Sequence, residues 1–135
     1  MNQQKIDFNE ISTGYEFEPS EIRLNSDEVT AYLNAVEGDK RSYEQEKIIP
    51  PMAISALAMA ALAGRLTMPP GAIHVSQELQ FLSRVGIDET LTSHARVNRK
   101  MERGKFNMLT IGVKVVNKKQ TTVLTGETSF ILPFS

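Results

Sequence analysis

The side chains able to do chemistry crowd into one short span. Asp39-Lys40-Arg41-Ser42-Tyr43-Glu44-Gln45-Glu46-Lys47 is a charged run that leads straight into an apolar stretch opened by Pro50-Pro51. Asp39 and Glu44 stand close together in it. Two carboxylates can divide acid and base work when their surroundings push their pKa values apart, and Asp39 alone can act as a general base or hold a water. Each has a plainer reading. Asp39 can cap the end of a preceding helix or close a turn after Gly38, and Glu44, between Tyr43 and Gln45, reads as a solvated loop charge. Arg41 can pair with either acid, and Tyr43 can simply pack. Ser55 is the one polar side chain early in the apolar stretch. Its hydroxyl can serve a site or bond back to a carbonyl one turn earlier, and the structural role is at least as well supported.

The elements that must position these residues are legible around them. Residues 48–66 carry no charge before Arg65 and are rich in Ala, the best helix former. Proline is tolerated in a first helical turn, so Pro50-Pro51 marks the helix start. A helix apolar all round is expected to be wrapped all round. At about 15 residues it is short of the roughly 20 needed to span a bilayer. Upstream, Asn25 or Ser26 is a good N-cap, Asp27 and Glu28 suit the positive end of a helix dipole, and Val29, Tyr32, Leu33 and Val36 fall at amphipathic spacing. That helix should end at Gly38. Residues 1–10 read as a frayed lead-in, and Tyr15-Glu16-Phe17 as a short edge strand.

The chain after Thr67-Met68-Pro69-Pro70-Gly71 reads as strands separated by turns. Ile73, Val75, Gln77, Leu79 and Phe81 alternate with His74, Ser76, Glu78 and Gln80. Residues 91–101 alternate again, with Leu91, Ser93, Ala95 and Val97 on one face and Thr92, His94 and Arg96 on the other. Residues 106–116 and 122–132 are two further strands, after turns at Arg103-Gly104-Lys105 and Asn117-Lys118-Lys119-Gln120. One wholly apolar helix before several long antiparallel strands predicts an α+β domain, spanning residues 1–135, with a sheet wrapped around the helix.

Composition narrows the function classes. The net charge is −1 and no basic stripe stands out, so nucleic acid is not an expected partner. There is no cysteine, which excludes disulfides, thiolate catalysis and Cys-ligated zinc. The two histidines, His74 and His94, lack ligand spacing, and no metal or other cofactor is expected. His94 should face solvent. The polar N-terminus has no apolar h-region, which predicts a cytoplasmic protein with no membrane association.

Three pieces of this pattern resemble a known family. They are Glu37-Gly38-Asp39 before the charged loop; Pro70-Gly71-Ala72-Ile73-His74-Val75-Ser76-Gln77-Glu78-Leu79-Gln80-Phe81, followed by Val85-Gly86-Ile87-Asp88-Glu89-Thr90-Leu91-Thr92; and Val123-Leu124-Thr125-Gly126-Glu127-Thr128. In this order they are similar to the MaoC-like, (R)-specific enoyl-thioester hydratase and dehydratase branch of the hot-dog fold, over residues 24–133. The resemblance implies an acyl-CoA or acyl-carrier-protein thioester as ligand. It also implies hydration or dehydration at C2 and C3 by an Asp and a His in the loop before the central helix, with the helix N-terminus polarising the thioester carbonyl. Asp39 matches the Asp, Glu44 stands where the His is expected, and Ser55 matches a serine near the active site. Arg41 would meet a phosphate of coenzyme A or phosphopantetheine, and Tyr43 an acyl pocket. Met52, Met59 and Met68 suit an adaptable lining.

The departures matter. Neither Pro50 nor Pro51 has an N–H to offer a carbonyl, so the first available donors are Met52 and Ala53. The Pro-Pro start and the absent His resemble the non-catalytic halves of two-part dehydratases. Four readings follow: a hydratase or dehydratase using Asp39 with Glu44; a non-catalytic subunit that shapes an acyl tunnel or stabilises a catalytic hot-dog partner; a hot-dog thioesterase, which would need an acid on the central helix; and a ligand-binding module without chemistry. Hot-dog domains pair through edge strands, so the resemblance also implies a homodimer or a higher oligomer, with His74 in the strand at the seam.

Overall fold

A computed structural model describes residues 5–36 and 47–133. In chain order the elements are β1 (Ile6–Asp7), β2 (Ser20–Ile22), α1 (Ser26–Val36), α2 (Pro51–Ala63), β3 (Leu66–Thr67), β4 (Ile73–Phe81), β5 (Leu91–Arg103), β6 (Phe106–Asn117) and β7 (Thr122–Pro133). Five of the strands form one antiparallel sheet in the order β2-β5-β6-β7-β4. The long strands β5, β6 and β7 are joined as hairpins, so neighbours in sequence are neighbours in space. Tight turns at Gly104 (φ 57°) and Gln120 (φ 65°) make these connections. In the second, the Asn117 side chain accepts from the N–H groups of Lys119 and Thr121.

The strand faces explain where the core sits. Leu109, Ile111, Val113 and Val115 of β6 and Leu124, Thr128 and Leu132 of β7 are buried on the side that faces α2. Ala53, Ile54, Ala58 and Leu62 of α2 pack into that same cluster, together with Val29 and Leu33 of α1. No helix among the described residues is long and apolar enough to cross a membrane.

Local chemistry sets the helix starts. α1 opens on a reciprocal capping box: the Asn25 side chain accepts from the Glu28 N–H at 2.8 Å, and Glu28 accepts from the Asn25 N–H at 3.1 Å. Asn25, rather than Ser26, is therefore the cap. Its apolar face is narrower than the periodicity suggests, because Val36 is 52% exposed. α2 begins on Pro50 and Pro51 without any side-chain cap. At its far end Arg65 donates to the Pro19 carbonyl and to Ser20 Oγ and pairs with Glu18 at 3.6 Å, tying the helix exit to the start of β2.

Four expectations change. The wholly apolar helix is covered on most of its surface, but Met52, Ala56, Ala60 and Ala63 leave one stripe exposed in the isolated chain. The N-terminal lead-in is anchored from Ile6 onward. β1 pairs with β3 in parallel, Phe8 is buried, and Lys100 Nζ donates to the carbonyls of Phe8 and Ile11 at 2.7 and 2.9 Å. Tyr15-Glu16-Phe17 is not a full strand but contacts β5 through the Glu16–Arg96 bridge and flanking hydrogen bonds.

The fourth change concerns the faces of β4 and β5, whose alternation is interrupted. In β4, His74 pairs with Phe130 and Ser76 with Ser129, so Val75 is an extra residue. In β5, Val97 pairs with Ile111 and Arg99 with Thr110, so Asn98 is extra. A one-residue bulge moves every later or earlier side chain to the other face. Past Asn98 this turns Lys100 inward to the N-terminal segment. Before Val75 it puts His74 on the same face as Gln77 and Leu79, the face toward α2, instead of with Ser76 and Glu78.

Candidate active site

The site is built where the start of α2 meets β4 and β7. Pro50 and Pro51 contribute no N–H, and the Ala53 N–H donates to the Pro50 carbonyl at 3.0 Å. Of the two expected backbone donors, Ala53 is thus engaged, and Met52 has no hydrogen-bond partner among the described residues. The Met52 side chain is half exposed beside it. Of the first three residues of α2, Met52 alone has an N–H without a partner among the described residues, at the positive end of the helix dipole.

Ser55 lies one turn further in and is buried. Its hydroxyl donates to the Met52 carbonyl at 3.0 Å, which leaves its oxygen lone pairs free to accept. Ser55, Ala58 and Met59 of α2 line a narrow crevice whose other wall is Gln77 and Leu79 of β4, Leu124, Gly126 and Thr128 of β7, and Val113 of β6. Gly126 is required there by close approach. A Cβ at that position would come within 2.5 Å of the Glu78 carbonyl and 2.8 Å of a Leu79 methyl. Leu79 thus lies across the glycine, and the crevice floor is apolar.

Gln77 and Thr128 are polar side chains of the strand wall, and Thr128 reaches His74, which stands exposed beside the crevice. Thr128 is 1% exposed, and its hydroxyl is 2.5 Å from Nε2 of His74. The His74 ring also stacks on Phe130, with centroids 5.0 Å apart. The hydrogen bond and the stack are possible only because the Val75 bulge turns His74 toward α2. Strict alternation reads this histidine on the opposite face, and Thr128 carried no signal beyond its place in the Gly126-Glu127-Thr128 run.

Asp39, Arg41, Tyr43 and Glu44 lie outside the described residues. Met52, Ala53 and Ser55 lie in the first turns of α2, while His94 is exposed on the far side of the sheet. A second hollow, of about 610 Å³, opens on that far side between Glu16, His94, Arg96 and Lys114. It is separated from α2 by the sheet itself. No group of three potential metal ligands occurs among the described residues.

This architecture can be compared with solved structures. The chain has the hot-dog fold. It superposes on the monoamine oxidase regulatory protein of Archaeoglobus with a TM-score of 0.80 at 18% identity, covering 100% of this chain and 99% of that one. The (R)-hydratase PhaJ1 of Pseudomonas aeruginosa gives 0.77 at 22% identity over 97% of this chain and 88% of that one. HadBC of Mycobacterium tuberculosis, a (3R)-hydroxyacyl-ACP dehydratase complex, gives 0.73 at 15% identity over 90% and 97%. MaoC-like dehydratases are among the further structural neighbours. At these identities the likeness carries the fold. No protein-family model and no curated protein matches the chain by sequence.

Proposed function

We propose that this hot-dog domain binds (3R)-hydroxyacyl or enoyl thioesters of coenzyme A or an acyl carrier protein, and interconverts them by adding or removing water. The observation that carries the reading is the crevice between α2 and β7, lined by Ser55 one turn inside the helix start. The crevice measures about 10 Å³ in the isolated chain, so an acyl chain along the apolar floor has to part α2 from the strands; its thioester carbonyl would then lie at the helix start, where a peptide N–H and the dipole favour developing negative charge. Asp39 and Glu44 are the acid–base candidates of the loop that precedes the helix. Arg41 is the candidate for a carrier phosphate and Tyr43 for the acyl wall. Asp39 holds the water in this reading.

The reading includes a dimer. β4 is an unpaired sheet edge carrying exposed apolar side chains, and pairing it with a second copy would cover them and enclose the crevice. Among the structural neighbours, HadBC and ChsH1-ChsH2 are complexes of two different chains.

One observation favours a second reading, a non-catalytic subunit. With two prolines at the helix start and the Ala53 N–H bonded to the Pro50 carbonyl, Met52 is the one of the first three helical residues whose N–H has no partner among the described residues. A thioesterase is disfavoured because α2 carries no acidic residue.

The test is hydration of crotonyl-CoA by the purified protein, followed by loss of enoyl-thioester absorbance, beside Asp39→Ala. Turnover that drops about 100-fold or more in Asp39→Ala establishes the hydratase reading. A folded, dimeric protein inactive on crotonyl, octenoyl and dodecenoyl thioesters of both carriers moves the assignment to the non-catalytic subunit.

A further inference from the structure

We propose that His74 is the proton-carrying residue of this site. The inference rests on the acyl-thioester reading above and moves the proton carrier from Glu44 to an imidazole at the sheet edge, exposed in the isolated chain and bonded to a crevice wall residue. Three observations place His74 there. The extra residue Val75 turns the side chain to the α2 side of the sheet. Bulges are over-represented beside active sites because they re-aim a side chain in this way. Thr128, itself a crevice wall residue and almost wholly buried, binds Nε2 at 2.5 Å. Phe130 stacks against the ring and holds its plane.

That arrangement is a base oriented by a third group. Whichever tautomer is present, Thr128 can serve it: a hydroxyl donates to a bare Nε2 or accepts from Nε2–H. The other nitrogen, Nδ1, has no partner among the described residues. An imidazole is the one unperturbed side chain that both takes and returns a proton near neutral pH. No titratable group of α2 faces the ring, since Pro51–Ala63 contains none. On β4 and β7, Glu78 and Glu127 point to the other face, where Glu127 is bound by Asn98 Nδ2 at 2.8 Å.

In hydration, Nδ1 takes one proton from water as the water oxygen bonds to C3. The C2–C3 π pair moves to C2 and the thioester carbonyl as an enolate. The imidazolium then returns its proton to C2, the enolate pair forms the C2–H bond, and the carbonyl is restored. One water is consumed and the imidazole ends neutral. Dehydration runs the same steps in reverse.

The test has two arms on the full chain. In the first, the two histidine ring resonances are followed by NMR while butyryl-CoA, which cannot react, is added. His74→Gln assigns the peaks. The His74 signal is expected to move and that of His94 to stay. In the second, crotonyl-CoA hydration is measured for wild type, His74→Gln, His94→Gln and Thr128→Val. His74→Gln is expected to lose about 100-fold or more in kcat with KM within about threefold. Thr128→Val is expected to lose about tenfold, and His94→Gln less than threefold. Equal melting curves show that His74→Gln folds. Butyryl-CoA binding with an unmoved His74 signal, or full activity in His74→Gln, overturns the His74 role and leaves the thioester reading standing. Binding that moves His74 without turnover of any enoyl thioester also overturns the proton-carrying role. Failure of butyryl-CoA and butyryl-phosphopantetheine to bind at all overturns both.

Discussion

The hydroxyl of Thr128 and Nε2 of His74 meet at 2.5 Å across the β4–β7 seam, with Thr128 buried and His74 at the open sheet edge. The bond joins a group that has no access to water to one that does. Removing the hydroxyl therefore leaves no stranded donor in the core, since the imidazole can turn to solvent, and the loss is that of one ordinary hydrogen bond. Thr128→Val should cost about 1 kcal/mol in urea unfolding with an unchanged slope. A cost above about 3 kcal/mol would mean that the hydroxyl supports the strand pairing itself, which its side-chain-to-side-chain geometry does not require.

Gly126 and Gly112 make a matched pair for testing what holds β4 in place. A Cβ on Gly126 would stand 2.5 Å from the Glu78 carbonyl, a backbone atom that moves only if β4 moves away from β7. A Cβ on Gly112 would meet Asn98 at 2.6 Å, a side chain that can rotate off at the expense of its bond to Glu127. Gly126→Ala should destabilise by about 1–3 kcal/mol and weaken butyryl-CoA binding, because it opens the crevice wall formed by Leu79. Gly112→Ala should cost about 1 kcal/mol and leave binding unchanged. Calorimetric melting and ligand titration on the two variants separate the cases, and equal effects on binding would contradict the wall assignment.

Most of the fold was legible because its signals are local. Alternation marks β4 to β7 with ends correct to within two residues, prolines mark the α2 start, and Asn25 with Glu28 marks the α1 cap. The faces were legible only as far as the first bulge. Leu91, Ser93 and Val97 face inward as read, but beyond Asn98, and before Val75, one extra residue reverses the assignment. Such an insertion depends on the partner strand's register, which alternation within one strand does not contain. Alternation therefore groups His74 with Ser76 and Glu78, and its bond to Thr128 is invisible to it, while its place on the exposed edge strand is legible. The uncovered stripe on α2 has the same origin. The residues Met52, Ala56 and Ala60 state that the helix is apolar, while what covers them is decided by chain packing or by a second copy. The Ser55 back-bond was legible, because a serine in a helix interior has few other acceptors.

The open edge of β4 carries the last prediction. Ile73 and Val75 on this strand are 58% and 44% exposed, and Phe81 and Leu82 at its end are exposed as well. A nine-residue edge with such side chains and no blunting lysine or proline is a template for adding another strand. Pairing two copies along it would satisfy the edge amides, cover the apolar row and set the His74 of one protomer beside the seam. Val75 is the bulged residue, so its side chain can be changed without altering the cross-strand pairs. Val75→Lys places a charge on the edge and should convert a dimer into a monomer, read by light scattering on a sizing column, with the melting temperature falling because the edge is uncovered. Because the crevice opens next to this strand, the monomer should also bind butyryl-CoA at least tenfold more weakly. A wild-type chain that is monomeric at tens of micromolar, or a Val75→Lys variant that stays dimeric, would place the partner on another surface. The exposed stripe of α2 would then be the next face to charge, at Ala56 and Ala60.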